Sequence, residues 1–320
     1  MDRVFRKIGP KSDIILLYRA PTAAPLFDKA RRAAPNAKII FHAVDLHFLR
    51  MQRQAELTGN QDLAKAATQT RVAELDLMQR ADAAIVVSAS EEELVHQLVP
   101  GANVHHIPIL RETPHIPWNR QYENRIGLRK ICRLYRRALA PDPIRRDLLF
   151  IGGFLHSPNI DAVEWFVGEI WPKLLRHGFQ DRFIIAGSHM PNSITQLNSE
   201  RIIAKGYVRD LAPLFAASRL TVAPLRYGGG VKGKIVSSLS YGVPVIATSI
   251  AAEGMGLTHG SDVLVADTPD QISNLIMDAY YDNNVWQRIS ANGYDAFMDR
   301  FSQPSGTKKI IDLFENVRRK

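Results

Sequence analysis

The sequence predicts an α/β protein in which parallel sheets form two domains. Short apolar runs alternate with amphipathic stretches through the first 110 residues, and the same alternation restarts at residue 147. A strand, a glycine-rich basic loop and a helix also follow one another at residues 220–240. Strands that alternate with helices are typical of crossover connections between parallel strands. A length of 320 residues, with 46% hydrophobic and 23% charged residues, suits two soluble globular domains.

The first half is predicted to hold four strands with helices between them. The strands are predicted at residues 13–18, 37–42, 83–88 and 104–110. Helices are predicted at residues 22–34 and 48–79, the second broken near Gly59. A further helix is predicted to begin at residues 90–93, with Ser90 as its cap and acidic residues at its positive end. Its glutamates Glu91, Glu92 and Glu93 are predicted to be solvated.

The second half repeats the order of elements without repeating the sequence. Strands are predicted at residues 147–153, 183–188, 202–208, 220–224 and 263–265. Helices are predicted at residues 159–176, 211–217, 269–282 and 284–320, the last broken at Pro304.

Residues 111–146 differ from both halves and are predicted to connect the domains. They contain four prolines. The stretch from Arg120 to Arg146 has nine basic residues and only two acidic ones. A helix is predicted at residues 126–139. The segment is either a solvated basic linker or a contact for an anionic surface or acceptor.

The amino-acid composition limits which binding partners and which cellular compartment are expected. The net charge of +9 favours an anionic partner, although surplus surface lysine and arginine would also explain it. The single cysteine, Cys132, excludes an internal disulfide and fits a reducing cytoplasm. No run of apolar residues reaches the length of a membrane span, so the expected location is cytoplasmic, with contact at the inner membrane face left open.

The glycine-rich loop predicts a binding site for a diphosphate. Gly228, Gly229 and Gly230 follow a strand, and Lys232 and Lys234 lie at the start of the next helix. Glycines let a backbone approach a ligand closely, and a helix N-terminus offers free amide donors and the positive end of a dipole. Two lysines add charge, so the loop points to a nucleotide-type ligand.

The second half resembles the donor-binding half of GT-B glycosyltransferases of family 4, the "glycosyl transferases group 1" type, in a glycine-rich bacterial subgroup. The motifs that carry the resemblance occur in family order over about 110 residues. They are Phe150-Ile-Gly-Gly-Phe154, Ser157-Pro-Asn-Ile-Asp161, Phe183-Ile-Ile-Ala-Gly187, Gly206-Tyr-Val-Arg-Asp-Leu211, Ala223-Pro-Leu-Arg-Tyr-Gly-Gly-Gly-Val-Lys-Gly-Lys234, Tyr241-Gly-Val-Pro-Val-Ile-Ala247 and Ala252-Glu-Gly254. Residues 42–50, 53–59 and 81–88 similarly resemble the later part of the acceptor-side domain.

The resemblance implies a GT-B fold, with two Rossmann-like domains facing a cleft. It assigns residues 1–145 to an acceptor-side domain with the basic linker, 146–300 to the nucleotide-sugar domain and 301–320 to a helix that returns to the first domain. The chain begins where the middle of that first domain is expected, so this domain is expected to be shortened.

The implied activity is transfer of a sugar from a nucleotide-sugar to a hydroxyl acceptor, with retention at the anomeric carbon. The acceptor would be a glycan or lipid-linked molecule in bacterial polysaccharide or glycolipid synthesis. The resemblance implies no cofactor and no metal, because lysines and a helix dipole can carry the charge of the leaving diphosphate.

Donor-binding residues are predicted by position in the matching motifs. Gly152 and Gly153 form either a turn that admits the donor phosphates or an ordinary strand-to-helix turn. The segment Gly206, Tyr207 and Val208 either reads the nucleobase with its backbone or ends a buried strand. Further candidates are Gly229, Gly230, Val231, Lys232 and Lys234 in the glycine-rich loop, together with Ser237 and Glu253. Glu253 lies either behind the donor site or in a cap.

Two positions depart from the family pattern. Many relatives carry a pair of glutamates eight positions apart, the first on the donor sugar and the second on the ribose hydroxyls. Gly229 and Ser237 occupy those positions here. A carboxylate accepts two hydrogen bonds from a ribose diol, whereas Ser237 offers one hydroxyl. A catalytically degenerate GT-B binding or partner subunit is therefore the alternative function.

The candidate catalytic residues are His42 and Asp45, which follow a predicted strand together with His47 and Arg50. They lie where relatives hold groups near the transferred sugar, and a histidine with an aspartate can orient an acceptor hydroxyl. A purely structural loop cluster and a metal site of two histidines and one aspartate are the alternatives. Nucleic acid is not an expected partner, because the basic linker lacks a recognised motif or interleaved aromatic residues.

Overall fold

The computed structural model describes residues 5, 7, 9–113 and 145–319. The predicted helix at residues 126–139 and Cys132 lie outside the described residues. Two sheets form the framework, and all of their strand pairs are parallel.

The first sheet has four strands in the order β1-β2-β3-β4. They are β1 (Ile14–Tyr18), β2 (Lys38–His42), β3 (Ala83–Val86) and β4 (Val104–His106). The second sheet has six strands in the order β10-β9-β8-β5-β6-β7. They are β5 (Arg146–Ile151), β6 (Phe183–Ala186), β7 (Ile202–Gly206), β8 (Ser218–Ala223), β9 (Val245–Ala247) and β10 (Leu264–Val265). The β5–β8 pair marks a reversal of strand order, where ligands of open α/β sheets commonly bind.

Helices connect the strands and cover the sheets. In the first domain they are α1 (Ala20–Ala33), α2 (His47–Thr58), α3 (Gln61–Arg80) and α4 (Ala89–Leu98). In the second they are α5 (Ser157–Trp165), α6 (Trp171–Arg176), α7 (Asn192–Thr195), α8 (Ala212–Ala217), α9 (Gly233–Ser240), α10 (Ser249–Ala252), α11 (Pro269–Tyr281), α12 (Asn283–Arg300) and α13 (Gln303–Arg319). A π-helical turn, Phe166–Ile170, joins α5 to α6 within the single helix expected there.

Two local expectations need correction. The α4 helix is capped by Ser88 rather than Ser90, because the Ser88 side chain accepts a hydrogen bond from the Glu91 amide. The strand expected at residues 104–110 ends at His106. Beyond it the chain crosses to the second domain, where Arg111 pairs with Ser302.

The last helix packs on the sheet of the first domain. Leu313 and Val317 of α13 share a buried cluster with Ile40, Ile85 and Ile107. This contact joins the end of the chain to the first sheet through apolar burial, the main favourable contribution to such packing.

Truncation of Leu313 should weaken this attachment. Leu313 is 2% exposed, so Leu313→Ala leaves a cavity and should cost about 2–4 kcal/mol in the free energy of unfolding. Ile311 of the same helix is 50% exposed, and Ile311→Ala should cost under about 1 kcal/mol. Denaturant unfolding of both variants measures the difference. Equal losses would contradict the packing of α13 on the sheet.

Candidate functional site

The glycine-rich loop after β8 packs directly against the loop after β2. Gly230 has a φ of +61°, and a Cβ added there would lie 3.1 Å from the Cβ of Asp45 and 3.0 Å from a methyl of Val87. A Cβ on Gly229 would lie 3.2 Å from the Leu46 carbonyl oxygen. Glycine is needed here because a side chain would push the domains apart. The structure thus brings the predicted donor loop and the predicted catalytic Asp45 together.

Asp45 is held within its own domain by two cations or potential cations. Arg50 Nε donates to Asp45 Oδ2 at 3.0 Å. His47 Nε2 lies 3.6 Å from Asp45 Oδ1, and His47 Nδ1 lies 2.9 Å from Glu74 Oε1. Glu74 is fully buried and also accepts from the amides of His47 and Phe48 at the start of α2. The carboxylate of Asp45 is therefore fixed in orientation at the domain interface.

His42 is a neutral side chain with a separate set of contacts. Its Nδ1 accepts a hydrogen bond from the Val44 amide at 3.0 Å, which leaves the proton of the neutral ring on Nε2. The ring stacks on Tyr18 with centroids 4.9 Å apart. Burial lowers the pKa of His42 to about 4. Val44 has a φ of 72°, an unfavourable value for a β-branched residue, so the His42 contact supports a strained loop.

Lys232 caps the start of α9 and points back into its own loop. Its Nζ donates to the carbonyl oxygens of Gly229 at 3.1 Å and Gly230 at 2.6 Å. The residue is only 8% exposed, and burial lowers the pKa of Lys232 to about 8. Its neighbour Val231 is buried in the core of the second domain. The ammonium group therefore stabilises the conformation of the glycine-rich loop.

Lys234 connects α9 to the turn after β5. Its Nζ donates to the side-chain oxygen of Asn159 and lies 3.9 Å from the centroid of the Phe150 ring. The Asn159 amide nitrogen in turn donates to the Gly153 carbonyl at 2.7 Å. Burial, and then the charge of Lys232, lower the pKa of Lys234. Both predicted phosphate-binding lysines thus make contacts inside the protein.

The glycines of the β5 turn have different structural requirements. A Cβ on Gly152 would lie 2.7 Å from the Asn159 side chain, and one on Gly187 would lie 1.7 Å from the Gly152 carbonyl oxygen. At Gly153 an added Cβ would meet only Ser188 Oγ, at an ordinary 3.5 Å. Packing accounts for glycine at position 152 but not at position 153.

The predicted nucleobase segment follows β7, so it lies at the carboxyl end of the sheet, as the turn after β5 does. Gly206 has a φ of +69°, and its carbonyl accepts from the Gly187 amide at 2.8 Å. Tyr207 is 72% exposed and Val208 is partly buried. The segment therefore begins at the end of a strand that is only partly buried, and the Tyr207 ring is open to solvent.

Glu253 makes a cross-domain ion pair that the sequence did not indicate. Arg53 of α2 donates from Nη1 and Nη2 to the two oxygens of Glu253, at 2.7 and 2.8 Å. The same Nη1 donates to the Gly228 carbonyl at 2.8 Å. Arg53 therefore ties the first domain to both the glycine-rich loop and the end of α10. No sequence signal pairs residues that lie 200 positions apart.

The expectation of a solvated Glu91 is wrong. Glu91 is 3% exposed, and its Oε1 accepts from the Leu46 amide at 3.1 Å. Its Oε2 is buried without a hydrogen-bond partner among the described residues. Burial raises the pKa of Glu91. The Glu91 side chain points inward because the first turn of α4 packs against the loop that contains Asp45 and Leu46.

His156 is a second histidine near the interface that sequence analysis did not select. Burial, and then the charges of Arg50, Lys234 and Lys232, lower the pKa of His156 to about 4. Its neutral ring therefore lies near Arg50 and Asp45 of the first domain and near Lys232 and Lys234 of the second. The sequence feature that could have indicated a role for His156 is its position directly before the motif that begins at Ser157.

Ser237 faces a cleft of about 580 Å³. Arg111 and Glu112, from the segment that leaves the first domain, line the same cleft, as do Phe215 and Tyr241. Within residues 9–113 and 145–319, no group of three histidine, cysteine or acidic side chains is arranged to hold a metal ion. None of the helices described is both long and apolar enough to cross a membrane.

The comparisons with known proteins agree with this architecture. Residues 145–282 match the family model for glycosyl transferases group 1. The "Uncharacterized 44.6 kDa protein in cps region" of Klebsiella pneumoniae is 21% identical over 176 residues, which cover 52% of this chain and 44% of that protein. The chain thus spans under half the length of this curated relative.

Solved glycosyltransferase structures superpose over nearly the whole chain. TarM, a protein of S. aureus, has a TM-score of 0.74 at 13% identity, over 100% of this chain and 57% of its own. Sucrose-phosphate synthase from Thermosynechococcus elongatus has a TM-score of 0.73 at 15% identity, over 99% and 77%. HepE of Anabaena, solved with UDP and glucose, has a TM-score of 0.68 at 16% identity, over 98% and 80%.

Two parallel-sheet domains that meet at their strand ends define a GT-B fold, and the predicted fold class is confirmed. Its C-terminal part, residues 145–282, matches the family model for glycosyl transferases group 1, which covers less than half of the chain. The resemblance inferred from the motifs is therefore confirmed.

The Arg53–Glu253 pair should show energetic coupling. Arg53→Ala and Glu253→Ala should each lower the free energy of unfolding by about 1–3 kcal/mol, because each leaves a partly buried charge without its partner. The double variant should lose little more than either single variant. Denaturant unfolding measures the cycle, with exposed Arg32→Ala as control. Strictly additive losses would contradict the pairing.

Stability should fall in mild acid. An unfolded histidine takes up a proton near pH 6.5, whereas folded His42 and His156 do so only near pH 4. The unfolded chain therefore binds more protons between about pH 4 and 6.5, so stability is lost as the pH falls through this range. Thermal unfolding at pH 7 and pH 5 should show a smaller loss for His42→Gln and His156→Gln than for the wild type. The exposed His96→Gln should match the wild type.

Proposed function

We propose that this chain transfers a sugar from a nucleotide-sugar to a hydroxyl acceptor. The observation that carries the proposal is the contact between the glycine-rich loop of one domain and the Asp45 loop of the other. Gly229 and Gly230 lie against residues 44–46, at the ends of β8 and β2. A donor bound at the first loop would therefore present its sugar to the second, as transfer between domains requires.

The donor side has the groups needed to bind a diphosphate. The free amides at the start of α9 and the turn at Gly153 lie at the carboxyl ends of adjacent strands β8 and β5. Lys232, with a pKa of about 8, is largely protonated at neutral pH. Amides, helix dipole and ammonium would stabilise the negative charge of the leaving diphosphate as the sugar becomes oxocarbenium-like. We infer that this charge needs no metal ion.

The first domain supplies polar groups for the transferred sugar or the acceptor. Asp45 is kept oriented by Arg50, and His42 carries a proton on Nε2 at neutral pH. Asp45 would accept a hydrogen bond from a hydroxyl, and His42 would donate one. Both groups are held before any ligand arrives, which reduces the cost of organising them during the reaction.

The relatives support a substrate class. The Klebsiella protein is described as lying in a cps region, and the structures of TarM and HepE contain UDP. We infer a UDP-sugar donor, a glycan or lipid-linked acceptor and a place in bacterial polysaccharide or glycolipid synthesis. Retention at the anomeric carbon is part of the proposal. A net charge of +9 supports peripheral contact with an anionic membrane at its cytoplasmic face.

A degenerate binding or partner subunit is the second candidate. It is favoured by Ser237 at the expected ribose carboxylate and by the internal contacts of Lys232, Lys234 and Glu253. Calorimetry with UDP-, GDP- and TDP-sugars separates the two candidates. Binding together with slow release of free sugar supports the transferase, and binding without turnover at any donor supports the partner subunit.

Removal of both lysines should abolish activity. Lys232→Ala with Lys234→Ala should lower donor hydrolysis by about 100-fold or more, because the ammonium group of Lys232 and the polar side chain of Lys234 are both lost at the start of α9. Lys232→Met with Lys234→Met preserves side-chain volume and should lose activity equally. The exposed pair Lys205→Ala and Lys308→Ala is the control. Unchanged hydrolysis in folded lysine variants, checked by circular dichroism, would overturn the assignment of the donor site.

A further inference from the structure

The cleft beside α9 has the size and chemistry of a small-molecule site. Its volume of about 580 Å³ lies within the range of roughly 300–1,000 Å³ that is usual for ligand pockets. Phe215 and Tyr241 stack at one end with ring centroids 4.5 Å apart. Ser237, Arg111 and Glu112 are among the residues that line it.

The cleft follows one face of α9 toward the N-terminus of the helix. Gly233, Ser237 and Tyr241 are spaced four residues apart, so they lie one above another on this face. Arg111 Nη2 lies 3.3 Å from the position of a Cβ on Gly233, at the first turn. The guanidinium group is therefore at the positive end of the helix, and the aromatic pair is at the other end of the cleft.

Arg111 and Glu112 are presented by an anchored backbone. The Arg111 amide donates to the Phe301 carbonyl at 2.8 Å, and the Arg111 carbonyl accepts from the Gln303 amide at 3.0 Å. Leu110 packs so closely on Gly306 that an added Cβ there would lie 2.2 Å from Leu110 Cδ1. These contacts hold the start of the interdomain segment against the junction between α12 and α13, while Arg111 and Glu112 remain exposed.

Lys232 and Lys234 of the second domain already have hydrogen-bond partners within that domain. Ser237 offers one hydroxyl to this cleft, whereas a ribose diol is best bound by a carboxylate. Lys232 donates to carbonyls of its own loop, and Lys234 donates to Asn159. Arg111 and Glu112, which come from outside the second domain, line the same cleft as Ser237.

We propose that Glu112 accepts the ribose hydroxyls of the nucleotide and that Arg111 binds its phosphates. The inference rests on the proposed function, and it assigns part of the donor site to the segment that joins the domains. The phosphates lie toward Gly233, because anions are favoured at a helix N-terminus. The ribose then lies toward Ser237, within the part of the cleft that Glu112 lines.

The ribose contact is tested by calorimetry with UDP and GDP and their 2′-deoxy forms. The wild type should bind a ribonucleotide more tightly than its deoxy form. Glu112→Gln should weaken ribonucleotide binding about ten-fold or more and should remove the preference, because a charged acceptor is lost. Glu200→Gln removes an exposed carboxylate elsewhere and should behave as the wild type. Addition of Ser237→Glu to Glu112→Gln should restore both affinity and preference.

The phosphate contact is tested with uridine against UDP. Arg111→Ala should reduce the advantage of UDP over uridine about ten-fold, whereas the exposed Arg288→Ala should leave it unchanged. If the wild type binds neither UDP nor GDP at millimolar concentration, the proposed function fails and this inference fails with it. If the wild type binds and the Glu112 and Arg111 variants bind equally well, the inference alone is overturned.

Discussion

The structure depends on one close approach, in which the backbone of a glycine-rich loop lies directly on the other domain. Gly230 has a positive φ, and a side chain there would collide with Asp45 and Val87. The approach leaves no room for a side chain, so the relative position of the two loops is set by backbone geometry. Arg53 reinforces it by donating to Gly228 and Glu253 at the same interface.

The charged groups at this interface are largely compensated within the protein. Lys232 is bound by carbonyl oxygens, Lys234 by Asn159, Asp45 by Arg50 and Glu253 by Arg53. Buried charges require such partners because desolvation would otherwise be costly. The same compensation keeps the groups in defined positions before a ligand binds.

Most of the fold could be predicted because its signals are local. Apolar runs mark the strands, and glycine followed by lysine marks the loop before α9. The motifs also predict that Asp45 and the glycine-rich loop belong to one site, and the structure brings the two into contact. The burial of Glu91 could not be predicted in this way. Three successive glutamates at a helix start have the pattern of a solvated turn, and only the packing of α4 beneath residue 46 turns one inward.

The sequence by itself determined the two parallel-sheet domains, the order of their elements and the position of the glycine-rich loop before α9, because hydrophobic periodicity and short motifs act over a few residues. The tertiary structure decided which distant residues share a site. It joined Arg53 to Glu253, placed neutral His156 near charged groups of both domains and brought Arg111 beside the first turn of α9. These contacts depend on how the two sheets pack against each other. No local pattern in the sequence shows which residues from distant parts of the chain will meet.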